Sequence, residues 1–246
     1  MKRILPGTLT VLFASGAMAA GPQPHWGYQG EHAPQHWAEM DPGFESCALG
    51  HMQSPIDIRD AHLADLPEID FDYHAGEAEA VNNGHTIMVN LPDSGGIDIG
   101  GTHYALVQFH FHTPSEEKID GEAYPMEAHF VHKDAEGHLA VVAVMLKEGH
   151  KNAALEEIFD ALPAAEDGKH ALGALDPAAL LPAKHGYYAY EGSLTTPPCS
   201  EGVRWQVMKG PIEVSESQIE AFRKLYPENA RPAQPLNGRE VQESRS

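Results

Sequence analysis

The feature that most constrains this chain is how often it is punctuated. Its 246 residues include 23 glycines and 19 prolines, scattered along the sequence rather than gathered into a linker. Turn-forming runs such as Asn83-Gly84, Ser94-Gly95-Gly96 and Asp120-Gly121 cut it into short pieces. Such pieces suit strands better than long helices. Residues 86–91, 104–112, 126–132 and 139–146 have the character of strands. Two segments read as helices instead. Residues 152–162 place apolar side chains at helical spacing. Residues 215–226 open with Ser215 and Gln218 in capping-box spacing and set Ile219, Phe222 and Leu225 on one face. With no repeat and no low-complexity tract, the expectation is a single mainly β domain with short peripheral helices.

The first residues have the pattern of an export signal. Lys2 and Arg3 precede a short apolar run centred on residues 9–13, and Ala17-Met18-Ala19 ends in small side chains. The run is shorter than the roughly 20 residues a membrane span needs. Residues 1–20 are therefore expected to be removed, leaving residues 21–246 as a periplasmic or secreted domain with no membrane insertion. The formal net charge is −20, and loss of Lys2 and Arg3 makes it −20 − 2 = −22. A surface of that sign opposes binding to nucleic acid or anionic lipid. Cys47 and Cys199 are the only cysteines, so one intramolecular pair is available. Outside the cytoplasm that pair is expected to be a structural disulfide.

The chemistry concentrates at Gln108-Phe109-His110-Phe111-His112 and Glu127-Ala128-His129. Strand side chains alternate between faces, so His110 and His112 share one face while Phe109 and Phe111 take the other. Glu127 and His129 also share a face. If these strands are neighbours, three imidazoles converge in a way that suits zinc: three neutral nitrogens and one open position. Glu127 is placed to accept the ring proton of His129. Most of the 16 histidines cannot be ligands, and a lone His-x-His is more often a surface or core pair. Spacing takes the argument no further.

At these residues the sequence resembles the alpha-class carbonic anhydrases. The resemblance runs in order through His25-Trp26-Gly27-Tyr28, Gln53-Ser54-Pro55-Ile56-Asp57, Asn82-Asn83-Gly84-His85 and the histidine segments. It continues at Gly192-Ser193-Leu194-Thr195-Thr196-Pro197-Pro198 and Arg231-Pro232-Ala233-Gln234-Pro235-Leu236. It implies a large, mostly antiparallel twisted sheet with one zinc ion per chain at the base of a conical cleft. The implied ligands are His110, His112 and His129, with Glu127 and Gln108 supporting them. It implies reversible hydration of carbon dioxide to bicarbonate and a proton, through attack by zinc-bound hydroxide. Thr195 and Glu116 would orient that hydroxide, and Thr196 would border the substrate. Val131, Val141, Leu194 and Trp205 would form an apolar wall for carbon dioxide, and His85 would carry protons away. The resemblance also implies cis peptides at Ser54–Pro55 and Pro197–Pro198, and leaves a homodimer open.

The chain departs from the family in two places. Glu117 and Lys118 follow Glu116 where His-Thr or similar is common, and Met88 replaces a polar side chain that often lines the cleft. Two other functions compete: a silent binding module on the same fold, and a zinc hydrolase or histidine-rich metal carrier. Silent modules usually lack a ligand histidine, whereas all three stand here. A His-Glu-x-x-His protease helix is absent from the sequence.

Overall fold

The computed structural model describes residues 25–245, so the proposed export segment lies outside the described residues. Six central strands are labelled here: β1 (Ile87–Asn90), β2 (Thr102–His112), β3 (Met126–Lys133), β4 (Leu139–Glu148), β5 (Tyr187–Ser193) and β6 (Glu201–Met208). They lie side by side in the order β1-β2-β3-β4-β6-β5 within one 13-stranded sheet. Lys169–Leu175 and Gly76–Asn82 extend it beyond β1, and Gln242–Ser244 and His62–Ala64 extend it beyond β5. Most pairings are antiparallel, as expected, but β4 runs parallel to β6.

All four expected strands form, each within a few residues of its sequence limits. Their alternation does the work the sequence suggested. Phe109, Phe111, Phe130, Val142 and Val144 point to one side and belong to the main apolar core, where each is fully buried. The opposite face of β2 and β3 is left for the histidines. Full burial of a side chain of this size stabilises by roughly 1.5–3 kcal/mol, so one face anchors the sheet while the other carries polar groups.

The helices are shorter than their sequence limits. Residues 152–162 yield only α1 (Glu156–Asp160), because the Asn152 side chain accepts the N–H groups of Ala154 and Leu155 at 3.0 and 3.3 Å. That local turn competes with the first helical turn. The second helix, α2 (Glu216–Arg223), begins with the expected capping box between Ser215 and Gln218 and buries Ile219 and Phe222. The Cys47–Cys199 disulfide is formed, with Cα atoms 5.1 Å apart. Ser54–Pro55 and Pro197–Pro198 are cis, and Thr113–Pro114 joins them. Gly192 packs so closely that a Cβ there would approach Trp205 Cδ1 to 2.9 Å. Among the described residues no helix is long and apolar enough to cross a membrane.

One buried titratable pair stands away from the cleft. His132 is fully buried, with Nε2 2.6 Å from the Tyr73 hydroxyl and Nδ1 3.2 Å from the Ala140 carbonyl. Burial pushes its pKa down to about 3 from an ordinary value near 6.5. The folded protein therefore refuses a proton that the unfolded chain accepts. The contribution is complete above pH 6.5 and is lost as pH falls toward 3, at up to about 1.4 kcal/mol per pH unit. His132→Gln should flatten the acid limb of urea-unfolding stability by about one proton; an unchanged slope would remove His132 as its source.

Candidate active site

The antiparallel register of β2 and β3 places His129 opposite His110 and Glu127 opposite His112. The three imidazoles converge, with ring centroids 5.0 Å apart for His110–His112, 5.3 Å for His110–His129 and 4.5 Å for His112–His129. One nitrogen from each lies within 4.8 Å of the others. Each ring is also held from behind. His110 Nδ1 donates to Gln108 Oε1 at 2.9 Å, and His112 Nδ1 donates to the Asn229 carbonyl at 2.8 Å. His129 Nε2 sits 3.4 Å from Glu127 Oε2 and 3.4 Å from Glu117 Oε2. These contacts leave Nε2 of His110, Nε2 of His112 and Nδ1 of His129 turned toward the common point.

Two features of this cluster fit a cation. His112 Nε2 is buried and has no hydrogen-bond partner, an expensive state for a polar atom unless something else engages it. His110 is pushed down to about 3 by burial and by the neighbouring His129, and His112 is likewise lowered, so both rings are neutral and can donate lone pairs. Burial opposes charge on His129, but the Glu127 and Glu117 carboxylates outweigh it and raise its pKa. The site as a whole thus favours one positive charge beside His129. Two neutral imidazoles and a third that carboxylates hold positive make a site that zinc can take by displacing the His129 proton, leaving three nitrogen donors in a negative surround.

Glu116 is buried in the loop after β2, 3.5 Å from His112 Nε2, and its Oε1 accepts the Arg231 N–H at 2.7 Å. Burial raises its pKa to about 7, assisted by the like charge of Glu117, while the charge on His129, the Arg231 N–H and the nearby Thr195 hydroxyl oppose the rise. Thr195 is itself buried, and Thr196 faces the cleft together with His110 and His112. Val141 and Trp205 are buried in one apolar cluster that forms a wall, with Val131 and Leu194 packed against it. Trp205 presents its ring edge-on to His129 at 4.9 Å, so that wall abuts the histidines.

From the histidines a cavity of about 130 Å³ opens outward past Met88 to His85 and Trp26. His85 stacks flat on Trp26, with centroids 3.6 Å apart and planes 7° apart. In that position burial, helped by His25, lowers its pKa to about 4. Sequence reasoning did not find this stack. Nor did it point to Asn229, whose carbonyl holds His112 and whose side-chain amide donates to the carbonyls of His85 and Phe111. Asn229 lies in a loop 117 residues beyond His112, with nothing in its spacing to mark it. Arg231 belongs to a matching motif, yet its role emerges only in space. Its guanidinium donates to Gln53 Oε1, the Ser54 carbonyl and the Cys47 carbonyl, while its backbone holds Glu116.

Known proteins share this arrangement. Residues 32–245 match the eukaryotic-type carbonic anhydrase family. A carbonic anhydrase of Pectobacterium atrosepticum is 42% identical over 234 residues, covering 93% of this chain and 95% of that protein. The alpha-carbonic anhydrase of Thermovibrio ammonificans, solved with the inhibitor sulfanilamide, superposes with a TM-score of 0.87 at 46% identity, over 89% of this chain and 99% of that one. The Photobacterium profundum alpha-carbonic anhydrase gives 0.85 at 46% identity, over 89% and 100% of the two chains. With the family match spanning residues 32–245 and relatives above 40% identity covering most of the chain, the chain belongs to the eukaryotic-type, or alpha, carbonic anhydrase family.

Proposed function

We propose that this protein is an exported zinc enzyme that interconverts carbon dioxide and bicarbonate. The observation that carries the reading is the convergence of one free nitrogen from each of His110, His112 and His129 beside an apolar wall. These three side chains would hold the ion. When bound, zinc supplies a Lewis acid that makes water a nucleophile near neutral pH.

The remaining roles fall to the chain itself. Gln108, the Asn229 carbonyl and Glu127 fix the three rings, so that no imidazole must reorient to bind. Glu116, anchored by the Arg231 N–H, accepts a hydrogen bond from the Thr195 hydroxyl and thereby leaves the Thr195 oxygen to act as an acceptor facing the reacting water. Val131, Val141, Leu194 and Trp205 offer carbon dioxide a surface with no charge, as suits a small apolar gas. Thr196 borders the same space. The export reading rests on the N-terminal pattern, the buried disulfide and the acidic surface, and makes residues 21–246 the working domain.

His85 would take protons to bulk solvent. A ring held neutral by burial is a poor acceptor at neutral pH, so the transfer requires it to swing off Trp26 into the cleft, where its ordinary pKa is restored. His85→Ala should lower kcat while leaving kcat/KM nearly unchanged, and imidazole buffer should restore much of kcat. If kcat and kcat/KM fall together and buffer restores neither, His85 positions substrate or structure instead.

The function is tested by titrating zinc-free protein with zinc while following carbon dioxide hydration. Turnover should rise linearly and saturate at one ion per chain. Tight zinc binding without turnover would make the chain a silent module, and several weak sites would make it a metal carrier.

A further inference from the structure

Glu117 is the departure from the family's pattern that the scheme above leaves without a role. It is fully buried. Oε1 accepts the Tyr190 hydroxyl at 2.7 Å. Oε2 has no hydrogen-bond partner and lies 3.4 Å from His129 Nε2, the same distance as Glu127 Oε2. Glu127 Oε2 is already committed, since it accepts the backbone N–H groups of Glu116 and Glu117 at 2.8 and 3.2 Å. With that oxygen taken by two backbone N–H groups, His129 Nε2 is left without a hydrogen-bond partner between the two carboxylates. Tyr190 stacks on Trp205 at 5.8 Å, and Trp205 meets His129 edge-on, so the group that anchors Glu117 also packs toward the same ring.

We propose that Glu117 is a positioning residue for His129: with Glu127 it forms a two-carboxylate clamp on Nε2, braced by Tyr190, that fixes the direction in which Nδ1 faces His110 and His112. The inference rests on the zinc reading given above. An imidazole held by an acceptor on its far nitrogen is a better-oriented and more basic ligand, and losing such a partner typically costs about 10–100-fold in metal affinity or activity. Glu117 therefore acts on how long the ion stays, not on substrate.

The test is the rate at which a chromogenic chelator strips zinc from loaded wild type, Glu117→Gln, Glu117→Leu and Tyr190→Phe proteins. Urea midpoints of the zinc-free forms are measured in parallel. The clamp predicts release about tenfold faster in both Glu117 variants, a smaller increase in Tyr190→Phe, and no matching order in the midpoints. A residue that only fills space would lower the midpoints and leave release unchanged. Release within about twofold of wild type in both Glu117 variants overturns the clamp while leaving the zinc reading intact. Two zinc ions per wild-type chain, one of them lost in Glu117→Gln, would make Glu117 a ligand and also overturn it. A wild-type chain that holds no zinc would overturn the zinc reading and the clamp together.

Discussion

His110→Ala, His112→Ala or His129→Ala should each abolish zinc binding and hydration activity while leaving the fold intact. Each ring supplies one nitrogen to a single point, and the second nitrogens of His110 and His112 are already hydrogen-bonded from behind. With one ring gone, two donors remain, too few for a structure that zinc holds tightly. The loss should far exceed the about 10–100-fold typical of an outer partner. Folding should survive because the opposite face of β2 and β3, with Phe109, Phe111 and Phe130, carries the core. Zinc content per chain, measured beside circular dichroism, checks this. Full zinc occupancy in any one variant removes that histidine from the ligand set.

Breaking the disulfide should have the second largest effect, on stability and activity by separate routes. The bond closes a loop with a sequence separation of 152. Chain-entropy reasoning assigns a loop of that length roughly 5 kcal/mol, an upper figure because unfolded chains keep some structure. The local consequence is more specific. Cys199 N–H donates to the Thr196 carbonyl, and the Cys47 carbonyl accepts from Arg231, whose backbone N–H holds Glu116. The bond thus ties the Thr195 loop to the residue that anchors its carboxylate partner. Cys47→Ala/Cys199→Ala should lower the urea midpoint and should also reduce activity well below the unfolding transition. Wild-type activity and midpoint in the double variant would contradict both statements.

The parts of this protein that were legible in its sequence are those written in local periodicity. Alternation along 104–112 and 126–132 was enough to put His110, His112, Glu127 and His129 on one side and the phenylalanines on the other. Ser215 and Gln218 announced a helix start because a capping box is a contact between near neighbours. What the sequence withheld depends on distant segments meeting. Asn229 behind His112, Arg231 between the disulfide and Glu116, and Trp26 beneath His85 each join loops whose approach no spacing rule encodes. The helix is confined to Glu156–Asp160 for a local reason: the Asn152 side chain holds a turn at its start, which apolar spacing does not reveal. Strand order, including the parallel pairing of β4 with β6, was likewise set by the whole sheet rather than by any one strand. The ordered set of motifs supplied the family, and geometry then supplied the supporting contacts.

The most direct test of the whole account is stopped-flow hydration of carbon dioxide by the purified wild-type protein, before and after treatment with a zinc chelator and again after one equivalent of zinc is restored. The account predicts rapid turnover, its loss on chelation and its return with zinc. Turnover that persists in demonstrably zinc-free protein, or its absence in protein carrying one zinc per chain, would contradict it.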